Sequence, residues 1–188
     1  MLRSVKALRG RPIAARDGKM GEVVDVYFDD ERWELRYLVV DTRHSMPQRE
    51  VLVPRACLTS EPEKGELPVQ LTRAQVEHCP EVEMDLPVWR QHELSYARRA
   101  MADRHLRSSG MVIGFGVHAL DGNLGRVEDL ILNDAGWTVC SLLIALNRWL
   151  PGRRVLAPPA AVESIDWCDR EVCLRLTREA LRALPTAN

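Results

Sequence analysis

The stretch ARDGKMGEVVDV, residues 15–26, returns as ALDGNLGRVEDL at residues 119–130. In each copy an Asp-Gly pair sits between apolar runs, and glycine supplies the positive φ that a tight hairpin turn needs. A second glycine follows inside the next apolar run, at Gly21 and Gly125, where a strand pattern interrupted by glycine signals a bulge or sharp bend. Working outward, a shift of 104 residues aligns residues 2–56 with 106–160 without a gap, and nineteen positions are identical. Among them are Leu2/Leu106, Arg3/Arg107, Ser4/Ser108, Asp17/Asp121, Asp25/Asp129, Asp30/Asp134 and Trp33/Trp137. After a one-residue insertion, LTRAQVEHCP at 71–80 answers LTREALRALP at 176–185. The chain is a tandem duplication, with a first unit over residues 1–80 and a second over 105–188.

Each unit reads as a series of short strands. In the first, a strand over 21–28 is followed by a turn at Asp29-Asp30-Glu31-Arg32. The segments WELRYLVVD (33–41), EVLVP (50–54) and LPVQL (67–71) are rich in the β-branched and aromatic residues that suit a pleated sheet. Thr72 with Gln75 three residues on forms a capping box for a short closing helix; Thr177 repeats the cap, but Ala180 replaces the glutamine. Short strands with close turns predict an all-β fold of two small antiparallel barrels, each ending in a short helix. Between them, residues 81–104 contain a run without glycine or proline after Pro87, and Trp89, Glu93, Tyr96 and Ala100 fall near one helical face. That predicts a helical connector with its charges in water.

In order and content these motifs resemble the PRC-barrel family. The resemblance rests on LRSVKALRGRPIAARDGKMGEVVDVYFDDERWELRYLVVDTR with VLVP and LTRAQV, on HLRSSGMVIGFGVHALDGNLGRVEDLILND, and on NRWLPGRRVLAPPAAVESIDW with LTREAL. It covers nearly the whole chain, including PVWRQHE in the connector. It implies two PRC-type β-barrels in tandem, related to the cytoplasmic part of the photosynthetic reaction centre H subunit and to the C-terminal domain of a bacterial ribosome maturation factor.

Composition narrows the function. With 26 Lys and Arg against 27 Asp and Glu, the net charge is -1, and direct nucleic-acid binding is not expected. The most apolar stretch, VCSLLIAL at 139–146, is too short to span a bilayer, so a cytoplasmic protein without a membrane span is expected. Five scattered cysteines read as free thiols rather than a disulfide framework. The histidines lack metal-ligand spacing, and GFG at 114–116 lacks the third glycine of a dinucleotide loop. Asp25, Asp29, Asp30, Glu31, Asp129 and Asp134 offer oxygen ligands of the kind hard cations use. Their spacing is not that of a calcium loop, and they read as solvated acids at hairpin tips. No catalytic residue, cofactor or metal is expected.

The copies differ most where RYLVVDTRHSM in the first becomes CSLLIALNRWL in the second: Asp41 becomes Ala145 and Thr42 becomes Leu146. A strand apolar on both sides needs a cover. The candidate partner-binding residues are therefore Leu142, Ile144 and Leu146, with Arg148, Trp149, Arg153 and Arg154 of the adjoining loop, since tryptophan and arginine are enriched at binding hot spots. Asp41 and Arg43 keep the only intact polar version of that surface. The expected function is a non-catalytic protein-protein interaction or assembly module whose partner is another protein or a second copy of itself. The alternatives are a ribosome- or RNA-associated maturation factor, or a peripheral protein related to reaction centre assembly.

Overall fold

In the computed structural model, which describes residues 1–42, 49–59, 65–146 and 152–187, the chain is mostly β. The first unit runs β1 (Leu2–Ser4), β2 (Pro12–Ala15), β3 (Gly18–Asp29), β4 (Glu34–Asp41), β5 (Glu50–Pro54), β6 (Leu67–Pro68) and α1 (Arg73–Glu77). The connector carries α2 (Tyr96–Met101). The second unit repeats the order with β7 (Leu106–Ser108), α3 (Ser109–Val112), β8 (Gly116–Ala119), β9 (Gly122–Asn133), β10 (Thr138–Ala145), β11 (Arg154–Ala157), β12 (Val162–Asp166), β13 (Glu171–Leu174) and α4 (Arg178–Arg182).

These strands form one curled sheet, and it is mixed rather than wholly antiparallel. Strand β2 runs parallel to β6, and β8 parallel to β13, because each pair is joined through the rest of its unit and not by a hairpin. The predicted strand over 67–71 shortens to Leu67–Pro68, with Val69 bridging to Leu58. The capping box at Thr72 and Gln75 is present, and Thr177 caps α4 alone.

The repeated hairpin does three jobs. Asp17 accepts a 2.7 Å hydrogen bond from the backbone N–H of Arg73, and Asp121 does the same for Arg178, so each hairpin turn satisfies the first orphan amide of its closing helix. Gly21 has φ 67°, and a Cβ there would overlap the Asp41 carbonyl on β4. Gly125 repeats the fit against Ala145 on β10, so the expected bend is also a close backbone approach. The third job belongs to Asp25 and Asp129, and it joins the halves.

The two units exchange their first strands. Strand β1 of the first unit pairs with β9 of the second (Leu2 with Asn133, Ser4 with Ile131), and β7 of the second pairs with β3 of the first (Leu106 with Asp29, Ser108 with Tyr27). The 104-residue shift turns one register into the other. Asp25 accepts hydrogen bonds from Ser108 Oγ (2.5 Å), Ser109 Oγ (2.7 Å) and the Gly110 N–H (2.9 Å). Asp129 accepts from Ser4 Oγ and the Lys6 N–H. Arg107 Nε reaches Asp30 at 2.5 Å and Arg3 Nε reaches Asp134 at 2.7 Å. Of the acids predicted to sit in solvent at hairpin tips, Asp25, Asp30, Asp129 and Asp134 are therefore engaged across the junction; Asp29 is buried on the amides of its own turn, and Glu31 is exposed as expected. Trp33 and Trp137, both at positive φ, direct their carbonyls across the centre, where they accept from Val139 N (2.7 Å) and Leu35 N (2.8 Å). One apolar core runs through both units, from Phe28 and Leu35 to Leu130, Leu132 and Val139.

The connector is not one helix. It breaks into short 3-10 turns at Val82–Met84 and Val88–Glu93 and then α2, with extended backbone at Pro87, Leu94 and Ser95. Its arginines do not all point to water: Arg99 donates to the carbonyls of Gln91, His92 and Leu94, replacing helical hydrogen bonds. Val82 and Leu86 pack with Leu106 onto Tyr27, Val39 and Leu52, on the outer face of the first unit. No helix among the described residues is long and apolar enough to cross a membrane.

The clasp generates two expectations. Asp25→Ala strips the carboxylate from two hydroxyls and an amide of the other unit and should lower the unfolding free energy by about 2–4 kcal/mol in urea titrations. The second concerns His105, whose Nδ1 lies 2.8 Å from Asp30 Oδ1. That hydrogen bond raises the imidazole pKa above its ordinary value, against a smaller effect of burial. A folded pKa above the unfolded one means stability fully present below about pH 6.5 and lost as the pH rises through the folded value. The stability difference between wild type and His105→Gln should accordingly be largest near about pH 6 and shrink towards about pH 8; a difference independent of pH over that span contradicts the assignment.

Candidate functional site

The expected docking strand faces the other way. Along β10, Leu142, Ile144 and Leu146 alternate into the core at 0%, 0% and 6% exposure, while Ser141, Leu143 and Ala145 point outward. Leu142 and Ile144 are thus closed to a partner in this fold, and Leu146 shows only an edge of its side chain. Apolar residues on both faces leave the strand's orientation open to periodicity, but the first copy resolves it. Leu38, Val40 and Thr42, at the aligned positions, are buried as well. Leu143, the outward residue, is the one that sequence reasoning missed. Asp41 is nearly buried on β4, in register with Glu50 of β5. Arg43, Arg148 and Trp149 lie outside the described residues.

Arg153 and Arg154 do converge with other groups. Together with Lys6, Arg126, Glu128 and Leu146 they line a cleft of about 830 Å³ at the open end of β9, β10 and β11. Each strand brings its residue by register: Ala145 of β10 stands opposite Arg126 of β9 on one side and Arg154 of β11 on the other. Lys6 comes from the first unit, carried over by the turn after the exchanged β1, where its N–H bonds Asp129. The cleft is therefore composite, and neither unit builds it alone.

Of the four cations among its described lining residues, two are engaged. Arg154 Nε pairs with Glu128 at 2.8 Å, and Arg153 donates to the Arg182 carbonyl at 2.7 Å. Among the described residues, the side chains of Lys6 and Arg126 have no ion pair, and both residues are exposed. At the aligned positions of the other copy the balance of charge is reversed. Arg126, Ala145 and Arg154 correspond to Glu22, Asp41 and Glu50 of the first unit, and Lys6 to Gly110 of the second; Arg153 corresponds to Arg49, while Glu128 and Ile113 correspond to Val24 and Arg9. Four cations and one acid thus stand where the aligned positions have two cations and three acids. Such a surface attracts anions and steers acidic partners.

Among the described residues, no group of three or more His, Cys, Asp or Glu gathers closely enough to hold a metal ion. The Cys79 thiol, half-buried beside α1, is pushed by burial up to about 11. No protein-family model matches the chain, and no curated protein sequence matches it.

The pair inside the cleft offers a direct check. The hydrogen bond and charge of Arg154 hold the Glu128 carboxyl below its ordinary pKa, against some desolvation. In Arg154→Ala the Glu128 titration, followed by NMR, should move up towards the ordinary glutamate value; an unmoved titration would show that the pair does not form in solution.

Proposed function

We propose that this chain is a non-catalytic docking module made of two PRC-type barrels, and that it engages another protein through the composite cleft of its second half. The observation that carries this reading is the charge reversal between aligned positions. The polar residues that recur in both copies, Asp17, Asp25, Asp30, Arg3 and Ser4 with their counterparts, are taken up in capping the helices and joining the units. Four of the pairs that diverge, Glu22/Arg126, Val24/Glu128, Asp41/Ala145 and Glu50/Arg154, place their second-copy residues around one open cleft. A duplicated scaffold with one altered face is what a binding function needs, whereas the repeated acids already have structural work. The half-buried Ile113 and Ala145 beside the cations suit a polypeptide, with apolar contact below and charge at the rim.

The basic cleft also gives the ribosome- or RNA-associated reading some support. Against it stand Glu128 inside the cleft, which repels phosphate, and the lack of an aromatic lining residue among those described on which a base could stack.

Affinity capture from the native cell, with the wild type and with Lys6→Glu/Arg126→Glu, separates these readings. Both substitutions fall on exposed side chains that make no ion pair among the described residues. The melting temperature should hold while recovery of the partner protein falls at least about fivefold. Unchanged recovery would refute the cleft as the docking site, and salt-sensitive recovery of ribosomal particles instead of a single protein would favour the maturation-factor reading.

A further inference from the structure

The first unit already shows how such a surface is filled. On its outer face Tyr27, Val39, Leu52 and Leu106 form an apolar cluster, each 4% exposed or less, under Val82 and Leu86 of the connector. The covering segment, Glu81 to Leu86, is acidic at Glu81, Glu83 and Asp85. Glu81 pairs with Arg49 at 3.0 Å and bridges to Val51 on the edge of β5.

Among the described residues, the second unit keeps the platform without the cover. The aligned residues are Ile131, Leu143, Leu156 and Leu2, all apolar. Ile131, Leu143 and Leu156 are only half-buried and belong to neither apolar cluster, and Leu2 is 65% exposed although its counterpart Leu106 is fully buried. The C-terminal stretch starts along the same track. Leu156 N donates to the Pro185 carbonyl as Leu52 N does to that of Pro80, and Thr186 bridges to Val155 as Glu81 does to Val51. It places the small Ala187 where the first unit has Val82, and no described residue takes the place of Leu86.

The basic cleft begins on the same strands. Ala145 and Arg154 are the next outward positions beyond Leu143 and Leu156. We infer that this face of the second unit receives an acidic partner segment of the connector's own chemistry, one that lays two apolar residues four positions apart onto Ile131, Leu143, Leu156 and Leu2 and sets its carboxylates against Lys6, Arg126 and Arg153. The inference rests on the docking reading above and names the occupant. Apolar area supplies the affinity and the arginines select acidic partners.

The test uses the full chain and a labelled synthetic peptide, PEVEMDLP, which copies residues 80–87. Fluorescence anisotropy should show saturable binding below about 1 mM peptide, and the methyl resonances of Ile131, Leu143 and Leu156 should shift while those of Val39 and Leu52 stay in place. Replacing the valine and the leucine of the peptide by serine, or Leu143→Asp in the protein, should weaken binding at least about tenfold. Leu156→Ser is the second variant should Leu143→Asp lower the melting temperature. No saturable binding, or shifts confined to Val39 and Leu52, would overturn the inference. Binding of an octaglutamate peptide without binding of PEVEMDLP would also overturn it while leaving the docking reading intact. A wild-type dimer that becomes monomeric as Leu143→Asp would assign the face to a second copy of the chain and equally refute the proposal.

Discussion

Two aspartates hold this molecule in its arrangement. Asp25 and Asp129 each accept hydrogen bonds from a serine hydroxyl and a turn amide that belong to the opposite unit. A carboxylate in a partly dry site is costly unless its lone pairs are filled; the amides of Val26 and Leu130 supply one donor each, and the exchanged segment brings the others. The Leu-Arg-Ser tripeptide that begins each unit is therefore an element of its neighbour. The exchange in turn sets the register of β1 on β9 and of β7 on β3, brings Arg3 to Asp134 and Arg107 to Asp30, and lets Trp33 and Trp137 swap hydrogen bonds at the centre. Lys6 follows β1 across the junction, so the composition of the basic cleft depends on the same interaction.

Much of the fold was legible because the chain states it twice. The strand segments, the Asp-Gly hairpins and the Thr72 cap could be read from local pattern, since each is dictated by neighbours in sequence. What could not be read was which unit each first strand serves. Leu-Arg-Ser is identical at 2–4 and 106–108, and exchanged and unexchanged pairings satisfy the same residues. For the same reason Asp25 and Asp30 read as solvated acids: their partners across the junction lie 75–85 residues away, in the other half. The connector misled through its lack of glycine and proline, yet the chain has to leave the first unit across Tyr27 and Val39 and then enter β7. Packing Val82 and Leu86 there outweighs the propensity for one continuous helix.

The candidate site was legible in part. Comparing the copies pointed to β10 and the segment after it, and Arg153 and Arg154 line the cleft. Strand alternation then turned Leu142, Ile144 and Leu146 inward, leaving Leu143 outside. The useful signal was the set of charge changes at aligned positions, Glu22 to Arg126 and Glu50 to Arg154, which a search for apolar runs passes over. Duplication supplied two equivalent faces. The connector occupies one, and the charge reversal marks the other as the face that diverged.

The central claim is that the halves are interlocked and open only together. Native-state hydrogen exchange tests it most directly. The account predicts that the junction amides of Val5, Leu35 and Val139 exchange with the same free energy as the most protected core amides of both units, because releasing either first strand exposes the shared core. Junction amides that open at a clearly lower free energy, with one unit's core still protected, would contradict it.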